Sequence, residues 1–164
     1  MYPCGRRAGD GVIDTSDSVL RRVRCLALEA LYEADTAGHD AERAYERRLR
    51  EVAEEDPEVA RPGPAGYGRG MVRGVTRMRE TIDQYIAAAA THRPLDAMPV
   101  IDRNILRLAI WELLADNAAP VGAVVNEAVE LAHRYGGEAS PGFVNAVLHT
   151  VSERIRRERE RVEG

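Results

Sequence analysis

The chain has 164 residues, 45% of them hydrophobic and 30% charged, with a formal net charge of −4. That size and mixture fit one globular domain able to bury a core without disulfides or metals, and they exclude a disordered polar chain. The acidic sum excludes indiscriminate attraction to polyanions.

The signs of charge are unevenly written. All 23 basic residues are arginine. Its planar fork suits phosphates and bases, although a GC-rich genome also writes arginine wherever a cation will do. Cys4 and Cys25 show no paired spacing, which favours a reducing, cytoplasmic setting. Arg6 and Arg7 are followed by no apolar run, so the start does not read as a signal peptide. The most apolar stretch, 105–115, is interrupted by Arg107 and Glu112, so no membrane span is expected.

In chain order, residues 1–17 read as a polar, flexible tail, with Ser16, Asp17 and Ser18 as candidate caps for a first helix. Val23, Ala27, Ala30, Leu31 and Ala34 recur at helical spacing, and Gly38 ends that helix. A second helix is predicted over about 40–53, with Ala41, Tyr45, Leu49 and Val52 on one face. Residues 55–66, holding Pro57, Pro62 and Pro64, read as a loop. Tyr67, Met71, Val75, Met78, Ile82, Ile86 and Ala89 then form one long stripe, stopped by Pro94. Pro99 opens a helix that is apolar almost all round from Val100 to Leu114, which marks packing on several sides. Ala119 and Pro120 open a further helix lined by Val121, Val125, Ala128 and Ala132, closed by Gly136 and Gly137. Ser140 is a candidate cap, with Pro141 in the first turn of a last helix striped by Val144, Val147, Leu148, Val151 and Ile155. Arginine and glutamate alternate after Glu153, as on a solvated helix end. No segment alternates as a strand does, and no repeat has a fixed period. The reading is an all-α domain over 18–155, in two small helical bundles (18–93 and 94–155), with a charged tail at 156–164.

Catalytic chemistry finds little support. His39, His92, His133 and His149 are scattered, without ligand spacing to either cysteine. Gly66, Gly68 and Gly70 follow no strand, so close backbone packing explains them better than a phosphate loop. Glu127 and Glu130 lie one turn apart, but Glu130 stands four before Arg134, where an ordinary ion pair contributes roughly 0.2–0.5 kcal/mol. No enzyme activity, cofactor or metal is expected. Binding is better supported. Arg21 and Arg24 share a face near the start of the first helix, with Arg22 beside them, and could neutralise phosphates. A solvated helix face is the plainer alternative. Arg103 and Arg107 sit on the apolar helix and must reach a carboxylate, with Asp102 and Glu112 as candidates, or a rim. Phe143, the single phenylalanine, falls in the first turn of the last helix. It is either core or a ring on which a base can stack.

Four segments together resemble the family of bacterial transcription antitermination factors called NusB. Residues 124–132 (VVNEAVELA) resemble its INEAVELAK segment, and 143–148 (FVNAVL) its FVNGVL segment. Residues 102–113 (DRNILRLAIWEL) resemble DRAILRLAxxEL, and 21–32 (RRVRCLALEALY) resemble the arginine-rich opening helix. The similarity runs in order from about Leu20 to Val151. It implies an all-α fold of two packed helical bundles and no catalysis. It further implies binding of boxA-type single-stranded RNA of ribosomal RNA leader transcripts, with the ribosomal protein NusE as partner in a complex on RNA polymerase. By matching positions, Arg21, Arg22, Arg24, Tyr32, Arg107 and Phe143 would face RNA or support that surface, and Asp102 would face the protein partner. Members occur as monomers and dimers, so a homodimer is open. Departures from the pattern are Ala139 for an acidic residue, Gly142 for a basic one, Ala146 for glycine, Leu148-His149 for LD, and Arg93 for a tryptophan. Two competitors are a helical module like the N-terminal domain of certain ribosomal RNA cytosine methyltransferases, disfavoured because no catalytic domain follows, and a helical scaffold or dimerisation protein without RNA binding.

Overall fold

The computed structural model describes residues 15–115 and 119–164. Among them there are seven α-helices and no strand: α1 (Thr15–Ala37), α2 (Ala41–Ala53), α3 (Pro62–Arg77), α4 (Arg79–Ala89), α5 (Val100–Leu114), α6 (Val121–Tyr135) and α7 (Ser140–Glu163). The all-α expectation holds. Cys4, Arg6 and Arg7 lie outside the described residues, as does most of the tail expected over 1–17. The chain divides into two compact units at Arg73 and Gly74, within α3, where the sequence suggested a boundary near residue 93.

In the first unit, α1 buries Val19, Val23, Leu26, Ala27, Ala30 and Leu31, an apolar stripe at three- and four-residue steps. The helix has already begun at Thr15, so the expected caps at 16–18 fall inside it. Gly38 closes it with φ +70°, its N–H donating to the Ala34 carbonyl at 3.1 Å, a left-handed position that suits glycine. Asp40 then caps α2, its carboxylate accepting from the Arg43 N–H at 2.9 Å. The short connection forces α2 back against α1, where Ala44, Tyr45 and Leu49 are buried.

The expected loop at 55–66 is largely helical. Pro57–Ala60 forms a short 3₁₀ turn that buries Val59, and α3 begins at Pro62. The prolines read as breakers, but in a first turn their missing N–H costs nothing. The stripe predicted as one helix from Tyr67 to Ala89 is interrupted at Met78, with φ −100° and ψ 12°, in the sparsely populated bridge region. Its amide still donates to Gly74 and its carbonyl still accepts from Ile82. Periodicity across a kink that keeps the hydrogen-bond ladder cannot be told from a straight helix.

In the second unit, α4 contributes Ile82 and Ile86 and packs on α5 and α7. Ten of the fifteen residues of α5 are buried, as its all-round apolarity requires, and α6 and α7 pack on it and on each other. Arg159 of α7 donates to the Leu113 carbonyl at 2.9 Å, satisfying an orphan acceptor at the end of α5. Ser140 is not the cap of α7. It is the first helical residue, and its Oγ accepts from the Gly137 N–H at 3.0 Å, tightening the turn after α6. The charged segment 156–164 continues α7 as far as Glu163.

Candidate nucleic-acid interface

On α1 of the first unit the three arginines divide by task. Arg21 is exposed. Arg22 is half-buried and its Nε lies 2.6 Å from Asp56 Oδ2, just before the 3₁₀ turn. That pair ties the connection after α2 back to α1, so much of the Arg22 charge is used inside the fold. Arg24, one turn from Arg21, is half-buried with its guanidinium carbon 5.6 Å from the centroid of Tyr67 on α3. Arg21 and Arg24 stand one turn apart on α1, as their spacing predicts, and α3 adds beside Arg24 an aromatic ring that the sequence reading had only as a member of a helical stripe. Tyr32, half-buried, is further along α1, where its carbonyl accepts from the Thr36 hydroxyl at 2.8 Å.

The ring at Tyr67 is set by the packing beneath it. Tyr45 of α2 is fully buried and donates to the Ala65 carbonyl at 2.8 Å. Its pKa is pushed up to about 12, chiefly by burial. Gly68 leaves the space the Tyr45 ring needs, since a methyl there would overlap the phenol. Arg69 donates to Glu46, and Arg73 Nε donates to Glu42 at 3.0 Å. The Arg69 hydrogen bond holds Glu46 below the usual carboxylate range. Of the glycines at 66, 68 and 70, only Gly68 makes this close approach; a methyl at Gly66 or Gly70 would meet open space.

In the second unit, Arg107 is 3% exposed. Its Nε and Nη2 reach Asp83 of α4 at 2.8 and 3.0 Å, a bidentate pair, and Nη1 lies 3.4 Å from Asn104 Oδ1. The sequence pointed to Asp102 or Glu112, but the carboxylate that takes the fork is Asp83, on a helix whose packing partner periodicity does not reveal. A guanidinium so enclosed supports a surface and does not face one. Asp102, expected to face a partner, is 2% exposed, in the first turn of α5, and its Oδ1 has no hydrogen-bond partner. A carboxylate there sits at the positive end of the helix, but its burial takes it off the surface of the chain.

Phe143 stands in the first turn of α7, half-buried, beside the buried Val144. The guanidinium carbon of Arg93 lies 4.7 Å from its ring centroid. Arg93 belongs to the stretch between α4 and α5, and the sequence reading assigned it no part in the site. The missing signal was spatial. Nothing local links a residue before α5 to the first turn of α7. Gly142 leaves open space where a side chain would project. No cluster of three or more histidines, cysteines or acidic residues is placed to hold a metal among the described residues, and no helix there is long and apolar enough to cross a membrane.

The sequence profile of the NusB family matches residues 21–153, most of the chain and all the positions just described. The chain belongs to the NusB family. It is 38% identical to the transcription antitermination protein NusB of Dehalococcoides mccartyi strain CBDB1, over 82% of this chain and 90% of that one. With the same-named protein of Anaeromyxobacter dehalogenans strain 2CP-1 the identity is 41%, over 80% and 88%. The fold is shared with T. maritima NusB at a TM-score of 0.69 and 32% identity, covering 82% and 90% of the two chains. It is also shared with a chain from a crystal structure of antitermination factors NusB and NusE in complex with dsRNA, at 0.69 and 27%, covering 83% and 97%. The NusB resemblance drawn from four segments therefore holds along their whole span.

Proposed function

We propose that this protein is an RNA-binding transcription antitermination factor that holds boxA-type single-stranded RNA of ribosomal RNA leader transcripts together with NusE, on RNA polymerase, in the cytoplasm. The observation that carries RNA binding is the fold and 27% identity shared, over 83% of this chain, with a chain from a crystal structure of antitermination factors NusB and NusE in complex with dsRNA; the single-stranded boxA ligand rests on the resemblance of the four sequence segments. The site geometry supports it. Arg21 and Arg24 offer adjacent cations on one face of α1, with Tyr67 under the second. Phe143 offers a half-exposed ring in the other unit. Arg22 and Arg107 act by holding this chemistry in place, through Asp56 and Asp83. Tyr32 lies along the same helix as the α1 arginines and is assigned to the RNA face with them. The buried Asp102 is left out of the protein-docking surface.

The test is binding of a boxA-like single-stranded RNA, with and without NusE, across a salt series. Log affinity should fall against log salt with a slope near −0.7 for each phosphate engaged, so three or four contacts give roughly −2 to −3. No measurable binding even with NusE present overturns the reading and leaves a helical scaffold of the same fold.

A further inference from the structure

Arg93 is exposed, and among the described residues its guanidinium makes no ion pair and no hydrogen bond. Its amide is used, donating to the Ala90 carbonyl at 3.2 Å, which fixes the backbone between α4 and α5. The side chain then has one neighbour of consequence, the Phe143 ring, 4.7 Å from the guanidinium carbon to the centroid. A long cationic side chain in water ordinarily samples many rotamers. Here the negative face of an aromatic ring holds the cation while consuming none of its five N–H donors. The ring is in turn fixed by its place in the first turn of α7, beside the buried Val144. The result is a pre-aimed cation with its whole donor set unspent. Arg107, by contrast, has given two of its donors to Asp83, and the Arg22 charge is paired with Asp56.

We propose that Arg93, seated on Phe143, is a phosphate-binding residue of the RNA site, and that Phe143 contributes to RNA affinity mainly as the seat that positions this guanidinium. The inference rests on the RNA-binding reading above and changes its chemistry at this point, from a ring that stacks on a base to a cation that neutralises a phosphate. The ligand class is the backbone of single-stranded RNA, so this contact is indifferent to base identity.

Five proteins decide it: the unmodified chain, Arg93→Ala, Arg93→Gln, Phe143→Ala and the Arg93→Ala/Phe143→Ala double variant, each measured with a boxA-like single-stranded RNA over a salt series. Circular dichroism and thermal midpoints check folding. Arg93 is exposed outside any helix, so Arg93→Ala keeps its fold whatever Phe143→Ala does. Arg93→Ala should weaken binding about fivefold at 0.1 M salt and make the salt slope shallower by about 0.7, the signature of one phosphate. Arg93→Gln, which keeps a planar group without charge, should lose the same slope. Phe143→Ala should weaken binding and leave less than its full effect to be added in the double variant. An unchanged slope and affinity in Arg93→Ala, with binding lost in Phe143→Ala, overturns the inference and returns the ring to direct stacking. Fully additive losses overturn the seat. If the unmodified chain binds no RNA, the functional reading falls and takes the inference with it.

Discussion

Arg107 sits 3% exposed with Asp83 across its fork, and removing one member of such a pair strands the other. Loss of a buried partner typically costs about 3–5 kcal/mol. Asp83 keeps some access to water and Arg79 lies 4.0 Å from it, which pulls the figure toward the lower end. Arg107→Ala is therefore expected to lower unfolding free energy by about 3 kcal/mol in urea titrations. Arg107→Lys, which keeps the charge but not the two-pronged geometry, should lose about half as much. If Arg107 were an RNA contact and nothing more, both variants would leave stability unchanged. That this arginine carries structure was half legible in the sequence. An arginine on an apolar helix needs an acidic partner, but the partner lay 24 residues away on another element, beyond any spacing rule.

At the scale of elements, two close approaches set how helices pack. Gly74 of α3 faces Trp111 of α5, and a methyl on Gly74 would overlap the indole Nε1. Gly68 faces Tyr45 in the same way. Alanine at either position gains helix propensity of up to about 1 kcal/mol but forces a ring out of its place, for which overpacking costs of about 1–3 kcal/mol are usual. A lower thermal midpoint for both variants is the expected outcome, with Gly142→Ala, which meets open space, as the control that does not fall. Tyr45 adds a pH signature to the packing of α2 on α3. Its folded pKa is raised to about 12 from an ordinary value near 10. A raised pKa means that this stabilisation is fully present below pH 10 and lost as pH rises toward 12. An alkaline unfolding titration should show that loss, and Tyr45→Phe should flatten it. At acid pH the sign reverses for Glu46. Its pKa is lowered by Arg69, so its contribution is present above the unfolded value near 4.3 and fades as pH falls below it. Both groups are substantially solvated, which keeps that effect under about 1 kcal/mol.

For the whole molecule, a net charge of −4 argues that association with RNA depends on where cations stand and not on their sum. The exposed end of α7 tests this. Arg156 pairs with Glu160 at 2.9 Å there, and replacing Glu160 by Gln alters net charge without touching the proposed interface. Gly142→Lys alters it by the same amount next to Phe143, where the structure leaves room. Only Gly142→Lys should steepen the salt dependence of RNA binding, by about 0.7. Equal effects from the two variants would mean that the global field governs binding.

Most of the helices, their apolar faces and their family were written in the sequence by itself, because they depend on neighbours three and four residues apart and on runs such as residues 124–132 that stay contiguous; the break at Met78 and the helical turns within 55–66 were not. The turn at Gly38 was local in the same sense, whereas the cap at Asp40 was not picked out and the caps expected at 16–18 and Ser140 lie inside their helices. Tertiary structure alone decided which charges are paired inside the fold and which are only seated on a ring. Arg22 meets Asp56, Arg107 meets Asp83, and Arg93 meets Phe143, each across elements that only packing brings together. It also placed α4 with α5 and α7, since an amphipathic stripe names the face that must be covered but not the helix that covers it. The proposed RNA-binding surface accordingly leans on fewer arginines than spacing alone suggested, because a guanidinium is available to a phosphate only when no carboxylate in the fold has taken it first.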